Sequence, residues 1–365
     1  MTSSHTQYIE APLKHAAVFV VLTIADEATD AVRDVLADLE DLVKDVDFRD
    51  QSARLVCTVG IGARAWPALT GRDRPAELHE FQEVRGDRHT AVATPGDLLF
   101  HIQSDRPDLA FELERLLLAE LGDAVSTVDE VSGFRYFDAR DLLGFVDGTA
   151  NPVGPSLPES VLVGDEDAEF AGGSYVVVQK YLHDLDAWNA LSVEQQEAVI
   201  GRRKLDNVEL DDAAEGQKSH KTLATIEDED GEHDILRDNM PFGRPGANEF
   251  GTYFIGYSRR LWVTERMLDR MFIGDPPGLH DRILDFSTAV TGTTFFAPSL
   301  ELLSSLGDVA DQDAGAVAPA DAPGGTGSPD DPGDALVAST PVDGSLGIGS
   351  LRRPVAPAPS PATRA

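Results

Sequence analysis

His15-Ala-Ala-Val-Phe-Val-Val-Leu-Thr-Ile24 is an apolar run rich in β-branched residues, with no charge after His15. A run of this length and type reads as a buried strand. Beyond it, Val32, Val35, Leu36, Leu39 and Val43 recur at helical spacing, with Thr29 as the expected N-cap. Residues 54–59 and 97–102 read as a second and a third strand. Pro107 opens a helix whose Leu109, Leu113, Leu116, Leu117 and Leu121 face inward and whose stop is Gly122. Residues 126–131 supply a fourth strand. The order β-α-β-β-α-β is the split β-α-β, or ferredoxin-like, pattern.

The second half repeats this order of elements, though not its residues. Ser174-Tyr-Val-Val-Val-Gln-Lys-Tyr181 reads as a strand. A helix follows, with Ser192 and Gln195 as its capping box and Gly201 as its stop. Residues 221–226 are expected to form a short strand, and Gly251-Thr-Tyr-Phe-Ile-Gly-Tyr257 a clear one. Residues 264–272 read as a helix with Met267, Leu268 and Met271 inward, and Thr293-Thr-Phe-Phe296 closes the unit. The expected fold class is α+β: two ferredoxin-like halves, residues 1–150 and 151–306, packed as one body. After residue 306 the chain turns to Ala, Gly, Pro, Asp and Ser, and no Lys or Arg stands between Glu301 and Ser350. Residues 307–342 are therefore expected to be a disordered acidic linker. A distinct motif at 343–353 and a Pro/Ala-rich tail at 354–365 complete the chain.

Lys and Arg number 30 against 64 Asp and Glu, a net charge of -34. Such a surface repels phosphate backbones and anionic lipid, which argues against nucleic-acid and membrane-surface roles. No stretch is long and apolar enough to span a bilayer, and Met1-Thr-Ser-Ser-His-Thr-Gln-Tyr8 lacks the features of an export signal. The expected location is cytoplasmic. Cys57 is the only cysteine, so neither an internal disulfide nor a Cys-x-x-Cys-His haem attachment is possible.

Asp141-Leu-Leu-Gly-Phe-Val-Asp-Gly-Thr-Ala-Asn-Pro152 sets Asp147 between an apolar run and a run of turn formers. Asp-Gly followed by Asn-Pro continues neither a helix nor a central strand. The expectation is a tight loop beside apolar surface, where a carboxylate can take up and return a proton. Alone, the stretch also reads as a surface turn. Two later stretches give it meaning: Ser219-His220-Lys-Thr-Leu-Ala-Thr-Ile226 and Leu236-Arg237-Asp238-Asn239-Met240-Pro-Phe-Gly243. With Gly60-Ile-Gly62, Pro75-Ala-Glu-Leu-His79, the run from His89 to His101, and Asp285-Phe-Ser-Thr-Ala-Val-Thr-Gly292, they resemble the dye-decolourising peroxidase family. The family's Gly-x-x-Asp-Gly signature stands here as Gly144-Phe-Val-Asp147-Gly148. The resemblance runs from about His15 to Leu303 and is closest to the compact bacterial branch called type B.

This resemblance implies a peroxidase that reduces hydrogen peroxide and oxidises aromatic donors such as dyes and phenols. It implies one non-covalent haem b per chain, bound mostly by the second half. His220 would be the axial ligand of the haem iron, a role that neutral imidazole suits. Asp285 would be the carboxylate behind it, with Asp281 as the alternative. Asp147 would relay the proton during peroxide cleavage, Arg237 would supply fixed positive charge, and Asn239 would hold peroxide or a water. Arg202 would approach a haem propionate. Without the resemblance, Arg237 reads as an ion-pair partner of Asp238 or another acid, and Arg202 as part of a basic last helix turn favoured by the helix dipole. Related proteins associate, so a homo-oligomer is the expectation. The alternative function is haem handling with release of iron, its peroxidase activity incidental.

Gly344-Ser345-Leu346-Gly347-Ile348-Gly349-Ser350-Leu351 resembles the targeting peptide of encapsulin cargo proteins. Apolar anchors spaced by glycines suit an extended peptide lying close in a groove. The implied partner is an encapsulin shell, with this chain inside the compartment.

Overall fold

The computed structural model describes residues 6–212, 215–229 and 231–308. The expected linker, the motif at 344–351 and the tail lie outside the described residues.

Strand β1 (Ala16–Ile24) is buried along most of its length. Val18, Val20 and Leu22 face one core, and Ala17, Phe19 and Val21 face another. That is the alternation a pleated strand imposes on an apolar run covered on both sides. With β2 (Val56–Gly62), β3 (Leu98–Ser104) and β4 (Val125–Phe134), β1 forms an antiparallel array in the order β2-β3-β1-β4. Helices α1 (Thr29–Ala37), α2 (Leu39–Asp47) and α3 (Pro107–Leu121) bury their apolar residues against it. The single helix expected after β1 is two helices that meet at Asp38, and Thr29 is the first helical residue after the N-cap Ala28. The break keeps Leu36, Leu39, Val43 and Val46 all on the core.

The second half contributes β5 (Ser174–His183), β6 (Leu236–Arg237), β7 (Met240–Arg244), β8 (Glu249–Ser258), β9 (Ser287–Ala289) and β10 (Thr293–Ala297). Its main path, β6-β8-β5-β10, with β7 also paired to β8, matches the order of the first half. Helix α4 (Val193–Ile200) starts on the Ser192–Gln195 capping box, formed in both directions, and stops at Gly201. Residues 221–226 do not form the expected strand. His220–Leu223 is a helical turn, α5, in which Leu223 N–H donates to Ser219 O and Ala224 N–H to His220 O. The open edge of β8 is taken by β6 and β7, and only Ile226 of this segment enters a ladder, as the first residue of a short strand, Ile226–Asp228, paired with Gly231–His233.

Strand β10 pairs with β2, Phe295 opposite Gly62 and Phe296 opposite Ile61, so both halves share one ten-stranded sheet. The sheet curls until Gly133 of β4 packs on Met240 of β7, where a side-chain carbon at 133 would lie 2.4 Å from the Met240 Cβ. Inside the curl Phe19 stacks on Tyr253 with ring centroids 4.2 Å apart. Val131, Val176 and Phe295 complete this shared core. Helix α6 (Leu261–Phe272) packs outside it. Among the described residues, no helix is long and apolar enough to cross a membrane.

Phe296 sits at the joint, fully buried and edge-on to Trp66 and Tyr175. Phe296→Ala is expected to cost about 3–5 kcal/mol, the usual range for removing a buried aromatic. Urea unfolding of the full chain measures it; a loss under about 1 kcal/mol would mean the joint carries little of the stability.

Candidate active site

A cavity of about 730 Å³ lies between β5, β8, α5 and α6. Cofactor and ligand sites commonly measure about 300–1,000 Å³. Side chains alternate in direction through β6, the two-residue break after it and the start of β7. Leu236 and Met240 enter the shared core and Asp238 is buried with them, while Arg237 and Asn239 line the cavity.

His220 is the first residue of α5 and lines the cavity. Its Nδ1 lies 2.6 Å from Asp281 Oδ2, which leaves Nε2 as the ring atom available for a ligand. Asp281 is fully buried, and its Oδ1 accepts the Ile283 N–H. Burial lowers the His220 pKa, but the Asp281 charge and hydrogen bond more than offset this and leave it raised. Asp285, expected behind His220, is elsewhere: its Oδ1 is 3.0 Å from His89 Nε2 and 3.1 Å from His280 Nε2. The segment Arg282–Asp285 is a 3-10 turn. At three residues per turn, positions four apart differ in direction by about 120°, so Asp281 and Asp285 cannot serve the same partner.

Asp147 sits on the expected tight loop. Gly144 and Gly148 have φ of +93° and +74°, which explains the two glycines of Gly-x-x-Asp-Gly, since a side chain rarely adopts either conformation. Asp147 Oδ1 accepts from Gly148 N–H at 2.7 Å and from Asn239 Nδ2 at 3.5 Å. Ile255 N–H donates to Asn239 Oδ1 at 3.2 Å, which fixes the amide with its NH₂ toward Asp147. Asp147 Oδ2 has no protein partner among the described residues.

The loop is tied down by residues whose part the sequence did not reveal. Asn151 clamps the backbone of Arg237: its Nδ2 donates to Arg237 O at 2.7 Å, and its Oδ1 accepts Arg237 N–H at 3.0 Å. Arg140 donates to Gly144 O and Lys204 O at 2.8 and 2.7 Å. Trp188, fully buried, donates to Leu143 O at 2.9 Å and packs on Phe145. In the sequence Asn151 read only as a turn former.

Arg237 does not pair with Asp238, which turns inward and accepts from Gln103. No ion pair holds the Arg237 guanidinium among the described residues. Burial lowers its pKa, with Asp147 opposing. Arg202 also lines the cavity, with Nη2 2.6 Å from Glu209 Oε1 and Nη1 3.3 Å from Asn207 O.

Of the two histidines that line this cavity, His183 is hydrogen-bonded at both ring nitrogens, to Ser287 and Thr252, whereas His220, with Asp281 behind it, keeps one nitrogen open beside Asp147, Arg237 and Asn239. That set combines a ligand-type nitrogen, a carboxylate able to move a proton and a fixed positive charge. Family models agree: "Dyp-type peroxidase, N-terminal" matches residues 6–135 and "Dyp-type peroxidase, C-terminal" residues 138–302. The second match begins before Asp147, so the Asp147 loop falls in the C-terminal unit. The chain is 51% identical to a dye-decolorizing peroxidase of Rhodococcus erythropolis, over 94% of this chain and 95% of that one. DyPB of Rhodococcus jostii RHA1 superposes with a TM-score of 0.80 at 55% identity, covering 84% of this chain and all of its own. The encapsulated DyP-type peroxidase of Mycobacterium smegmatis superposes at 0.81, also at 55% identity, over 83% of this chain and 98% of its own. The chain belongs to the Dyp-type peroxidase family and is an oxidoreductase of that class.

Asn151→Ala strips the Arg237 amide and carbonyl of their partners and is expected to cost about 1–3 kcal/mol per group left unsatisfied. Comparing its urea midpoint with wild type measures this, and an unchanged midpoint would contradict the clamp. Burial pushes the Asp141 and Asp238 carboxyls up to about 7, well above the ordinary carboxylate range. The folded chain then holds protons that the unfolded chain has released, so stability falls as pH rises through about 7. Asp238→Asn is expected to flatten that fall between about pH 4 and 7, read from urea unfolding at each pH. A slope equal to wild type would contradict the assignment.

Proposed function

We propose that this cavity binds one haem b, whose iron His220 Nε2 would hold, and that the enzyme uses hydrogen peroxide to oxidise aromatic donors such as dyes and phenols. One observation carries the reading: His220, backed by Asp281, shares its cavity with Asp147, Arg237 and Asn239. The donor set fits the cofactor. The free imidazole nitrogen suits iron. Leu143, Ile200, Phe254, Met267, Leu268 and Ile283 offer apolar wall for a flat macrocycle. Arg202 stands at the wall as the partner for a propionate. Cys57 is buried, and burial raises its thiol pKa, which is consistent with non-covalent binding. The bound haem supplies the redox chemistry.

The protein's part is to hold geometry and move a proton. Asp281 fixes the His220 ring and keeps it electron-rich. On the peroxide side, Asp147 Oδ1 is engaged by Gly148 and Asn239, so Oδ2 is the atom that takes the proton from one peroxide oxygen and returns it to the other. Arg237 stabilises the negative charge growing on the leaving oxygen, and its free donors need no reorganisation to do so. Asn239, held by Ile255, keeps Asp147 aimed.

Removing a preorganised charged donor of this kind costs about 10²–10³ in rate, so Arg237→Leu is expected to lose about that factor in kcat/KM for peroxide while still loading haem. Stopped-flow kinetics with an aromatic donor reads it. If Arg237→Leu keeps wild-type kcat/KM, the assignment fails. Iron release without oxidation of any donor, in wild type, would instead favour haem handling.

Packaging is a second part of the proposal. It rests on the Gly344-Ser345-Leu346-Gly347-Ile348-Gly349-Ser350-Leu351 motif and on the Mycobacterium smegmatis relative, itself an encapsulated DyP-type peroxidase. Co-expressed with an encapsulin shell protein, the full chain is expected to co-purify with the shell, and a chain lacking 344–351 is not. Equal recovery of both chains would contradict the motif's role.

A further inference from the structure

The carboxylate displaced from His220 has two imidazoles of its own. His89 Nε2 and His280 Nε2 both point at Asp285 Oδ1, at 3.0 and 3.1 Å. The two rings stand 4.8 Å apart at 61°, so they converge on the oxygen from different directions. One ligand-type atom from each residue lies within 4.8 Å of the others. Side-chain exposure is 23% for His89, 13% for His280 and 23% for Asp285, so the cluster is sheltered yet open to an entering ion. Arg88 is the other charged group facing it, with Nη1 3.6 Å from Asp285 Oδ1 on a side chain that is 66% exposed and free to turn outward.

We propose that His89, His280 and Asp285 form a binding site for a divalent transition ion of the zinc class. Zinc ligands lie about 2.0–2.2 Å from the ion, which sets neighbouring ligand atoms about 3–3.5 Å apart, as the two nitrogens are from the oxygen here. Two imidazoles select such ions over magnesium and calcium, which prefer all-oxygen shells. Three protein ligands leave room for water. His89 follows the short strand Val84–Arg85 of the first half, whereas His280 and Asp285 flank Asp281, the partner of His220. A bound ion therefore ties the first half to the segment that positions the histidine's carboxylate. The site is separate from the proposed haem chemistry, and its test does not depend on turnover.

The experiment is calorimetric titration of the haem-loaded full chain with zinc chloride, in excess magnesium to occupy oxygen-only sites on the acidic surface. One equivalent is expected to bind, with a rise in the thermal midpoint. Loss of even an outer partner of a metal site costs about 10–100-fold in affinity, so His89→Ala and Asp285→Asn are each expected to weaken binding by at least that much. Zinc X-ray absorption on the wild-type protein reads the ligands without any substitution. Two imidazole nitrogens in the first shell support the site. An oxygen-only shell, or equal affinity in wild type and His89→Ala, overturns it.

Discussion

The hydrogen bond between His220 Nδ1 and Asp281 Oδ2 is the contact on which the site turns. A fully buried carboxylate is costly unless it is paired, and Asp281 meets that cost with an imidazole on one oxygen and the Ile283 amide on the other. The pairing sets which ring nitrogen of His220 faces the cavity. It also links α5 to the segment after α6. The fold makes this possible by turning 220–223 into a helical turn at the cavity wall rather than a strand at the sheet edge.

Across the same cavity the logic is different. Asp147, Arg237 and Asn239 are placed by backbone as much as by side-chain contacts. The backbone from β6 across the break into β7 sends 237 and 239 to the cavity and 236, 238 and 240 inward. Asn151 then locks the Asp147 loop to the Arg237 backbone, so the loop and strand hold a fixed spacing. The shared core beneath, with Phe19 on Tyr253, makes the two halves one platform. A rigid platform is what electrostatic preorganisation requires, since a donor that must move loses much of its effect.

The strands of the first half were legible because a continuous apolar run has few other readings, and the capping box at Ser192 and the stop at Gly201 because they are local. His220, Asp147, Arg237 and Asn239, singled out by motif, line one cavity. Other features depended on long-range geometry. Residues 221–226 looked strand-like because nothing local shows that the edge of β8 is occupied. The resemblance suggested Asp285 with Asp281 as the alternative, and nothing local shows that 282–285 is a 3-10 turn that points the two apart. Arg237 looked ready to pair with Asp238 or another acid, yet Asp238 turns inward to Gln103 while Arg237 faces the cavity. Asn151 is visible only once residues 86 positions apart meet.

The most direct test is the iron–histidine stretching frequency of the reduced, haem-loaded protein by resonance Raman spectroscopy, in wild type, Asp281→Asn and Asp285→Asn. If Asp281 holds His220, Asp281→Asn lowers that frequency and Asp285→Asn leaves it at the wild-type value. A shift in Asp285→Asn with none in Asp281→Asn would contradict the account at its centre.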